Sequence, residues 1–147
     1  MSESSEARLA SAALLLDTHA WVWWLGSSPP LPSRTRALID LAAGREAVWV
    51  SAISVWEVAL LVQRGRLELR EPVRTWVSRA QAVAGVRFLP IDPDLALRSV
   101  ELQGMHADPA DRFIVASAER LGAVLVTRDE RIRAAGLVVT LWDEESA

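Results

Sequence analysis

The sequence predicts an α/β protein of three layers, in which helices cover both faces of a mostly parallel sheet of about five strands. Two observations lead to this fold class. Short apolar or β-branched runs recur along the chain with helical patterns between them, and 147 residues is the usual length of one domain. Because strands that alternate with helices are joined by right-handed crossovers, neighbouring strands are expected to be parallel.

Five short runs have the apolar or β-branched composition of buried strands. They lie at residues 14–16, 47–50, 86–91, 123–127 and 137–141. Strands that are covered on both faces read as continuous apolar runs of this kind. The runs therefore predict a sheet buried between two layers of helices.

Helices are predicted between these runs because the residues that begin and end helices are placed there. A serine, an aspartate or a Glu-Pro pair opens each segment, and a glycine follows it. The segments are Ser33 to Gly44, Ser54 to Gly65, Glu71 to Gly85, Asp92 to the region of Gly104, and Asp108 to Gly122. Two further helices are expected, an apolar one beginning near Thr18 and a short one from Asp129 towards Ala135.

The chain is interpreted as a single domain over residues 12–147, preceded by a frayed tail over residues 1–11. The proline-rich stretch at residues 27–32 is short enough to be a loop between two helices. The apolar run that begins at Ala12 meets Asp17 after a few residues, so it is too short to cross a membrane. Acidic residues outnumber basic ones before that run, which argues against a secretory signal.

The composition excludes several kinds of chemistry. The chain has no cysteine, which removes disulfides and zinc sites built from thiolates. All 16 basic residues are arginine, so phosphate-binding loops, Schiff bases and phosphoryl-transfer sites that depend on a lysine are also excluded. The two histidines are too few for a zinc site of several imidazoles. Carboxylates are the metal ligands that remain in quantity.

The net charge and the apolar content restrict the possible binding partners less than the residue types restrict the chemistry. A net charge of −3 predicts no general attraction to nucleic acid, so such binding would need a local arginine patch. The apolar content of 51% excludes a disordered chain and suggests that part of the surface is covered by another subunit.

Four acidic residues lie at or just beyond the carboxyl ends of predicted strands, or on a helix whose first turn can face that edge. They are Asp17, Glu57, Asp111 and Asp129. Ligands of parallel sheets bind at this edge. Carboxylates that lie close together raise one another's pKa, so such a cluster favours a divalent cation. Oxygen ligands alone favour Mg²⁺ or Mn²⁺, ions that support in-line hydrolysis of a phosphodiester.

Each acid also has a purely structural interpretation. Glu57 forms a capping-box pattern with Ser54, in which it would bond back to the capping residue. Asp17 and Asp129 are possible helix caps, and Asp108 is the expected cap of its helix. The helix dipole favours an acid such as Asp111 in a first turn. Residue types and spacing leave these alternatives open, and the two kinds of role are compatible.

Four segments resemble the PIN-domain ribonucleases, in particular the VapC-type toxins of bacterial toxin–antitoxin pairs. The segments read LLLDTHA at 14–20, SAISVWEV at 51–58, DPADRFIVA at 108–116 and LVTRD at 125–129. The resemblance covers residues 12–141, in the family's order and at its spacing. One departure is Ala110, which stands where the family usually has an aromatic or bulky residue and affects packing rather than the acids.

The resemblance implies a three-layer PIN fold and an endoribonuclease that depends on Mg²⁺ or Mn²⁺ and cuts structured RNA such as tRNA or ribosomal RNA. Asp17 and Asp111 would be the most direct metal ligands. Glu57 would complete the cage, and Asp129 would bind a second ion or act through water. Thr127 would assist from the same loop, and Asp108, as the expected cap, would support Asp111. The resemblance also implies a cytoplasmic homodimer that is held inactive by a VapB-like antitoxin covering the active-site groove.

Several residues are candidates for contacts with RNA or antitoxin. Arg112 and Arg128 stand beside two of the acids and could hold the RNA backbone or form structural ion pairs. Arg64 and Arg66 belong to the densest basic stretch, which could contact phosphates or form a solvated helix end. Trp23 falls on a different helix face from the stripe of Trp21, Trp24 and Leu25, so it could line a groove that takes an antitoxin helix or lie under a dimer contact.

His19 and His106 are expected to pack or to bond to the backbone rather than to act as general bases. Two other functions stay open. A catalytically inactive PIN fold would only bind a partner, although the presence of all four acids argues against it. A PIN-like nuclease that works in RNA processing or on structured DNA is the other, and the small size of the chain argues against that one.

Overall fold

The computed structural model describes residues 3–26 and 30–143. This part of the chain contains one sheet of five short strands. They are β1 (Leu14–Leu16), β2 (Val48–Ser51), β3 (Val86–Leu89), β4 (Val124–Val126) and β5 (Thr140–Leu141). Their order in the sheet is β3-β2-β1-β4-β5, and every neighbouring pair is parallel. The predicted fold class and strand number are therefore confirmed.

Eight helices lie within the same described residues. They are α1 (Glu3–Ser11), α2 (Thr18–Gly26), α3 (Ser33–Gly44), α4 (Ala52–Gln63), α5 (Val73–Gln81), α6 (Pro93–Glu101), α7 (Pro109–Leu121) and α8 (Glu130–Ala135). None of the helices in this part of the chain is long and apolar enough to cross a membrane.

The sheet is buried on both faces because successive side chains of each strand point in opposite directions. Leu14 and Leu16 pack in one apolar cluster with Trp21 of α2 and Ile39 of α3. Leu15 packs in a second cluster on the other face, to which α6 and α7 contribute. The rings of Trp76 and Phe88 meet Trp21 edge-on, at centroid distances of 4.8 and 5.7 Å. Burial on both faces explains why the strands read as uninterrupted apolar runs.

The first of three differences from the expected elements is at the N-terminus. Residues 3–11 form α1 instead of a frayed segment, because Leu9 packs against the core and α1 lies against α3. The guanidinium of Arg45 also donates a hydrogen bond to the carbonyl of Ala12, just beyond this helix. Residues 1–2 lie outside the described residues, as do residues 27–29 of the predicted loop and residues 144–147 of the predicted domain.

The second difference is the start of α4. The predicted capping residue was Ser54, but the cap is Ser51, whose hydroxyl accepts a hydrogen bond from the backbone N–H of Ile53 at 3.3 Å. The capping-box interpretation of Glu57 is therefore wrong, because Ser54 lies inside the helix and is fully buried.

The third difference concerns lengths. Helix α5 ends at Gln81, short of the predicted end at Gly85, and β5 is confined to Thr140–Leu141. Gly85 instead begins the approach to β3 with a φ of +84°. A Cβ atom at this position would lie 2.0 Å from the carbonyl oxygen of Ala43, so only glycine fits between α3 and the sheet.

Candidate active-site cleft

The candidate site lies at the carboxyl edge of the sheet, between β1 and β4. The chain runs from β1 outward through β2 to β3 and then crosses back to place β4 on the other side of β1. Such a reversal of strand order opens a crevice at the carboxyl ends, where ligands of α/β proteins bind. Asp17 follows β1 directly, and Thr127 follows β4 directly. The fold therefore brings together two segments that are more than a hundred residues apart.

A cleft of about 500 Å³ occupies this crevice. All four acids singled out from the sequence line it, together with Asp108 and with Glu130, which was not singled out. Asp17 comes from the end of β1, Glu57 from the second turn of α4, Asp111 from the first turn of α7, and Asp129 from the start of α8. Helices α4, α7 and α8 all begin at this edge of the sheet. The acid at or near the start of each helix therefore lies beside the end of β1.

Asp17 is the most buried of these acids, with 8% of its surface exposed. Its Oδ2 accepts a hydrogen bond of 2.6 Å from the hydroxyl of Thr127, and its Oδ1 accepts one of 2.8 Å from the backbone N–H of Ala20. The second bond is the capping role considered for this residue. Burial raises the pKa of Asp17 to about 6, although the two hydrogen bonds act in the opposite direction. The raised pKa means that the ionised form of Asp17 is disfavoured at this position and would be stabilised by a nearby positive charge.

Thr127 links two of the acids. Its hydroxyl donates to Asp17 and also accepts a hydrogen bond of 3.1 Å from the backbone N–H of Asp129. Asp129 in turn caps α8, because its Oδ1 accepts from the backbone N–H of Ile132 at 2.9 Å. Thr127 thus fixes the position of the loop that carries Asp129 relative to β1.

Glu57 faces the start of α2. The neighbouring Ser54, three residues earlier on the same helix face, has its hydroxyl 2.9 Å from that of Thr18. Burial raises the pKa of Glu57, the nearby Thr18 hydroxyl partly offsets that increase, and the negative charge of Asp111 adds to it. Glu57 is therefore held at the site by tertiary contacts of α4 with α2.

Asp111 lies next to a histidine. The Nε2 atom of His106 is 2.8 Å from Oδ2 of Asp111, and the two side chains are only 14% and 17% exposed. Burial raises the pKa of Asp111, the hydrogen bond with His106 lowers it, and the charges of Asp108 and Asp129 raise it. The expectation that His106 would pack or bond to the backbone is wrong, because its ring contacts a carboxylate.

Asp108 has the capping role predicted for it. Its Oδ1 accepts hydrogen bonds from the backbone N–H groups of Ala110 and Asp111, at 3.0 and 3.3 Å. Because Asp108 also lines the cleft, it contributes negative charge there as well as holding the first turn of α7.

Asp17 and Asp111 already have hydrogen-bond partners within the protein. Among the side chains that the structure describes, no group of three or more histidine or acidic residues is arranged closely enough to hold one ion. The partners are Thr127 and Ala20 for Asp17, and His106 for Asp111. A cation bound by these two acids would therefore have to replace some of these contacts.

Arg112 does not line the cleft. Its guanidinium instead donates hydrogen bonds to backbone carbonyls at the end of α6 and in the loop that follows. The five acceptors are Ser99, Val100, Leu102, Met105 and His106, at 2.6 to 3.2 Å. The interpretation of Arg112 as an RNA contact or an ion-pair partner is therefore wrong, because the guanidinium is used to hold the loop that carries His106.

The other predicted contact residues divide into two groups. Arg128 and Trp23 line the cleft, whereas Arg64 and Arg66 do not. Arg64 follows the last residue of α4, and both arginines are exposed. Because α4 begins at the carboxyl edge and its 12 residues span about 18 Å, its far end lies away from the acids.

Two arginines of the cleft were not singled out from the sequence. Arg131 and Arg133 belong to α8 and line the cleft together with Arg128. The available signal was the run of three arginines within six residues around Asp129. His19 also lines the cleft, with its ring 5.6 Å from that of Trp23.

Comparison with known proteins agrees with this arrangement. The model of the PIN domain matches residues 14–137, and the chain belongs to the PIN-domain family. The chain is 36% identical over 121 residues to ribonuclease VapC22 of Mycobacterium tuberculosis, a match that covers 82% of this chain and 89% of that protein. The similarity to this ribonuclease thus extends over most of each of the two chains.

Solved structures show the same fold. The crystal structure of FitAcB from Neisseria gonorrhoeae matches with a TM-score of 0.63 and 25% identity, over 86% of this chain and 95% of that one. VapBC2 from Rickettsia felis, bound to a DNA fragment from its promoter, matches with a TM-score of 0.64 and 17% identity, over 88% and 98% of the two chains.

Proposed function

We propose that this chain is the ribonuclease toxin of a toxin–antitoxin pair, an endoribonuclease that hydrolyses phosphodiester bonds of structured RNA such as tRNA or ribosomal RNA with the help of Mg²⁺ or Mn²⁺. One observation carries the proposal. Four acids from four separate segments line a single cleft at the switch point of the sheet, in a chain that is 36% identical to ribonuclease VapC22.

The chemical types of the donors, rather than the spacing of their side chains in the conformations described, suit a divalent cation. Every acidic donor in the cleft is an oxygen, which suits Mg²⁺ or Mn²⁺. Burial raises the pKa values of Asp17, Glu57 and Asp111, so the ionised site gains from a positive charge. Asp17 and Asp111 would hold the ion directly, and Glu57 and Asp129 would complete its surroundings. When bound, such an ion activates water and neutralises the charge that develops on phosphate.

The chain's own residues prepare this site in three ways. Thr127 holds the Asp17 carboxylate and the loop of Asp129 in a fixed relation. Thr18 and Ser54 hold α2 and α4 together beside Glu57. The fold also buries Asp17 and half-buries Glu57, Asp111 and Asp129, which limits the contact of these carboxylates with solvent.

The proposed partners follow from the same relatives. The similar solved structures are of FitAcB and VapBC2, which supports an antitoxin of the VapB type as the partner that blocks the cleft. A homodimer is also proposed, since Leu97 and Val100 of α6 are 64% and 77% exposed and would be covered by a second copy. An RNA substrate of this kind would place the protein in the cytoplasm.

The experiment is cleavage of total tRNA and ribosomal RNA by purified protein with Mg²⁺, with Mn²⁺ and with EDTA. We expect cleavage with either ion and none with EDTA. Asp17→Asn should cleave at least about 100-fold more slowly, because it removes a charged ligand. Asp94→Asn is the matched control, since that carboxylate is 91% exposed and lies outside the cleft. Undiminished cleavage by Asp17→Asn would contradict the proposed site, and absence of cleavage by soluble wild-type protein would favour the inactive binding fold.

A further inference from the structure

His106 lies behind one of the acids of the cleft. Its Nε2 atom is 2.8 Å from Oδ2 of Asp111, and both side chains are largely buried. Asp111 lines the cleft, whereas His106 does not. An imidazole between the carboxylate and the cleft would itself line the cleft, so the ring approaches Asp111 from the opposite side. In this position His106 cannot touch a molecule in the cleft, but it can hold the carboxylate that does.

The contact uses only one of the two carboxylate oxygens of Asp111. An ionised carboxylate can only accept hydrogen bonds, so the N–H at Nε2 of His106 donates to Oδ2. Among the residues that the structure describes, none donates a hydrogen bond to Oδ1. The carboxylate is therefore fixed by one oxygen and keeps the other for a ligand. Unlike the two contacts of Asp17, which occupy both oxygens, this contact can persist when a cation binds.

The loop that carries His106 is anchored to the helix that carries Asp111. Arg112, the next residue of α7, donates hydrogen bonds to the backbone carbonyls of Met105 and His106, at 3.2 and 3.1 Å. Gly104, with a φ of +79°, lets the chain turn between the end of α6 and this loop. His106 is thus connected to α7 twice, through its carbonyl group and through its ring. The position of the ring relative to Asp111 is therefore fixed.

The surroundings of Asp111 explain why a hydrogen-bond donor is needed beside it. Burial raises the pKa of Asp111, and the negative charges of Asp108 and Asp129 raise it further, so the ionised carboxylate is disfavoured at this position. The hydrogen bond from His106 lowers that pKa. Asp108 also holds the backbone, because it accepts a hydrogen bond of 3.3 Å from the N–H of Asp111. The peptide group and the carboxylate of Asp111 are thus both held in place.

From these contacts we infer that His106 is a positioning residue of the cleft, which holds Asp111 through Oδ2 so that Oδ1 can bind a divalent cation. This inference rests on the proposed function, because Asp111 is one of the proposed ligands. Hydrogen-bond partners that hold a metal ligand from outside the metal site typically change metal affinity by about 10- to 100-fold when they are replaced. His106 is not a catalytic residue in this arrangement, since it touches neither the ion nor the substrate.

The test measures Mn²⁺ binding to the full-length chain without RNA, with free Mn²⁺ followed by electron paramagnetic resonance at fixed pH. His106→Leu should weaken Mn²⁺ binding about 10- to 100-fold, because it removes the donor. His106→Gln should keep most of the affinity, because its amide nitrogen can donate to Oδ2 in place of the imidazole. His106→Asn, whose amide is too short to take the place of Nε2, should weaken binding as His106→Leu does.

The matched control is Met105→Leu in the same loop. It should bind Mn²⁺ as wild type does, because Arg112 contacts Met105 only through its carbonyl group. Urea unfolding in EDTA should be cooperative for every variant, which separates loss of Mn²⁺ binding from loss of fold.

Two further measurements separate positioning from a merely structural role. In the Asp111→Asn background, His106→Leu should weaken Mn²⁺ binding little further, because its effect passes through a carboxylate that is already absent. At saturating Mn²⁺, His106→Leu should keep the KM of wild type for RNA, because His106 does not reach the cleft.

Three results would overturn the inference. The first is Mn²⁺ binding by His106→Leu that equals or exceeds that of wild type, since tighter binding would make the histidine a competitor of the ion. The second is a His106→Gln variant that binds as weakly as His106→Leu. The third is a full further loss when His106→Leu is added to Asp111→Asn. Each of these leaves the proposed function intact if wild-type protein binds Mn²⁺ and cleaves RNA, whereas a wild type that does neither contradicts the proposed function itself.

Discussion

Replacement of Asp17 by asparagine is expected to stabilise the protein while abolishing cleavage. The carboxylate is 8% exposed, and burial raises its pKa from 3.8 to about 6. A shift of one pKa unit corresponds to about 1.4 kcal/mol, so keeping this group ionised in the folded state costs up to about 3 kcal/mol. Asparagine removes that cost, and its amide oxygen still accepts from the backbone N–H of Ala20. The contact with Thr127 reverses direction, because the amide nitrogen donates to the hydroxyl, which then loses its own acceptor and offsets part of the gain.

The sign of the pH dependence follows from the direction of the shift. Because the folded-state pKa of Asp17 is raised, the folded protein holds this proton more tightly than the unfolded chain does between pH 3.8 and about 6. The cost is absent below this window, grows as the pH rises through it, and is complete above it. Wild-type protein should therefore lose stability relative to Asp17→Asn as the pH rises from 3.8 to about 6.

Urea unfolding at a series of pH values, followed by tryptophan fluorescence, measures this difference. Asp17→Asn should match wild type near pH 4 and exceed it by up to about 3 kcal/mol at pH 7. Saturating Mg²⁺ should close the gap by stabilising wild type alone. Asp94→Asn should follow wild type throughout, because that side chain is 91% exposed. A less stable Asp17→Asn at pH 7, or a difference that does not vary with pH, would refute the reasoning.

Three further substitutions test other contacts. Arg112→Lys should lower the free energy of unfolding by about 2–3 kcal/mol and weaken Mn²⁺ binding, because one ammonium cannot replace five hydrogen bonds. Unchanged urea unfolding would contradict this role. Thr127→Val removes a hydrogen bond that lowers the pKa of Asp17, so the acidic limb of the pH–rate profile should move to higher pH, and an unmoved limb would count against the contact. Gly85→Ala should cost at least about 2 kcal/mol in thermal or urea unfolding, because its Cβ would meet a backbone carbonyl of α3, and a loss below about 0.5 kcal/mol would show that the turn can relax.

Much of the fold was predictable because burial on both faces of the sheet requires a continuous run of apolar residues in each strand. Leu14, Leu15 and Leu16 point alternately into two apolar clusters, so all three must be apolar. The convergence of the acids was predictable for a related reason. Parallel strands end at one edge, and an acid that directly follows a strand, such as Asp17, is delivered to that edge.

Helix starts were less predictable, because more than one residue satisfies the same local rule. Ser51 and Ser54 are both good caps, and the choice depends on a contact distant in sequence. The hydroxyl of Ser54 pairs with that of Thr18 of α2, which requires Ser54 to lie inside α4. The capping-box pattern with Glu57 is therefore a coincidence of spacing.

The role of Arg112 could not be read from its neighbours in the sequence. Helix α6 ends at Glu101, three residues before Gly104, so no glycine caps it directly and its last carbonyls need partners from elsewhere. Tertiary packing places those carbonyls beside α7, where the guanidinium of Arg112 donates hydrogen bonds to them. The loop held by Arg112 also carries His106. The contact of His106 with Asp111 depends on the same tertiary packing, so the sequence did not predict it either.

The most direct test of the central claim is made in a bacterial host. Wild-type protein and Asp17→Asn are expressed from an inducible promoter, growth is followed, and new RNA 5′ ends are sequenced. We expect growth arrest and discrete new ends in tRNA or ribosomal RNA with wild type only, and relief of both when an antitoxin gene is co-expressed. The same RNA ends in cells that express wild type and Asp17→Asn, with both proteins soluble, would contradict the assignment of the acidic cleft as the site of RNA cleavage.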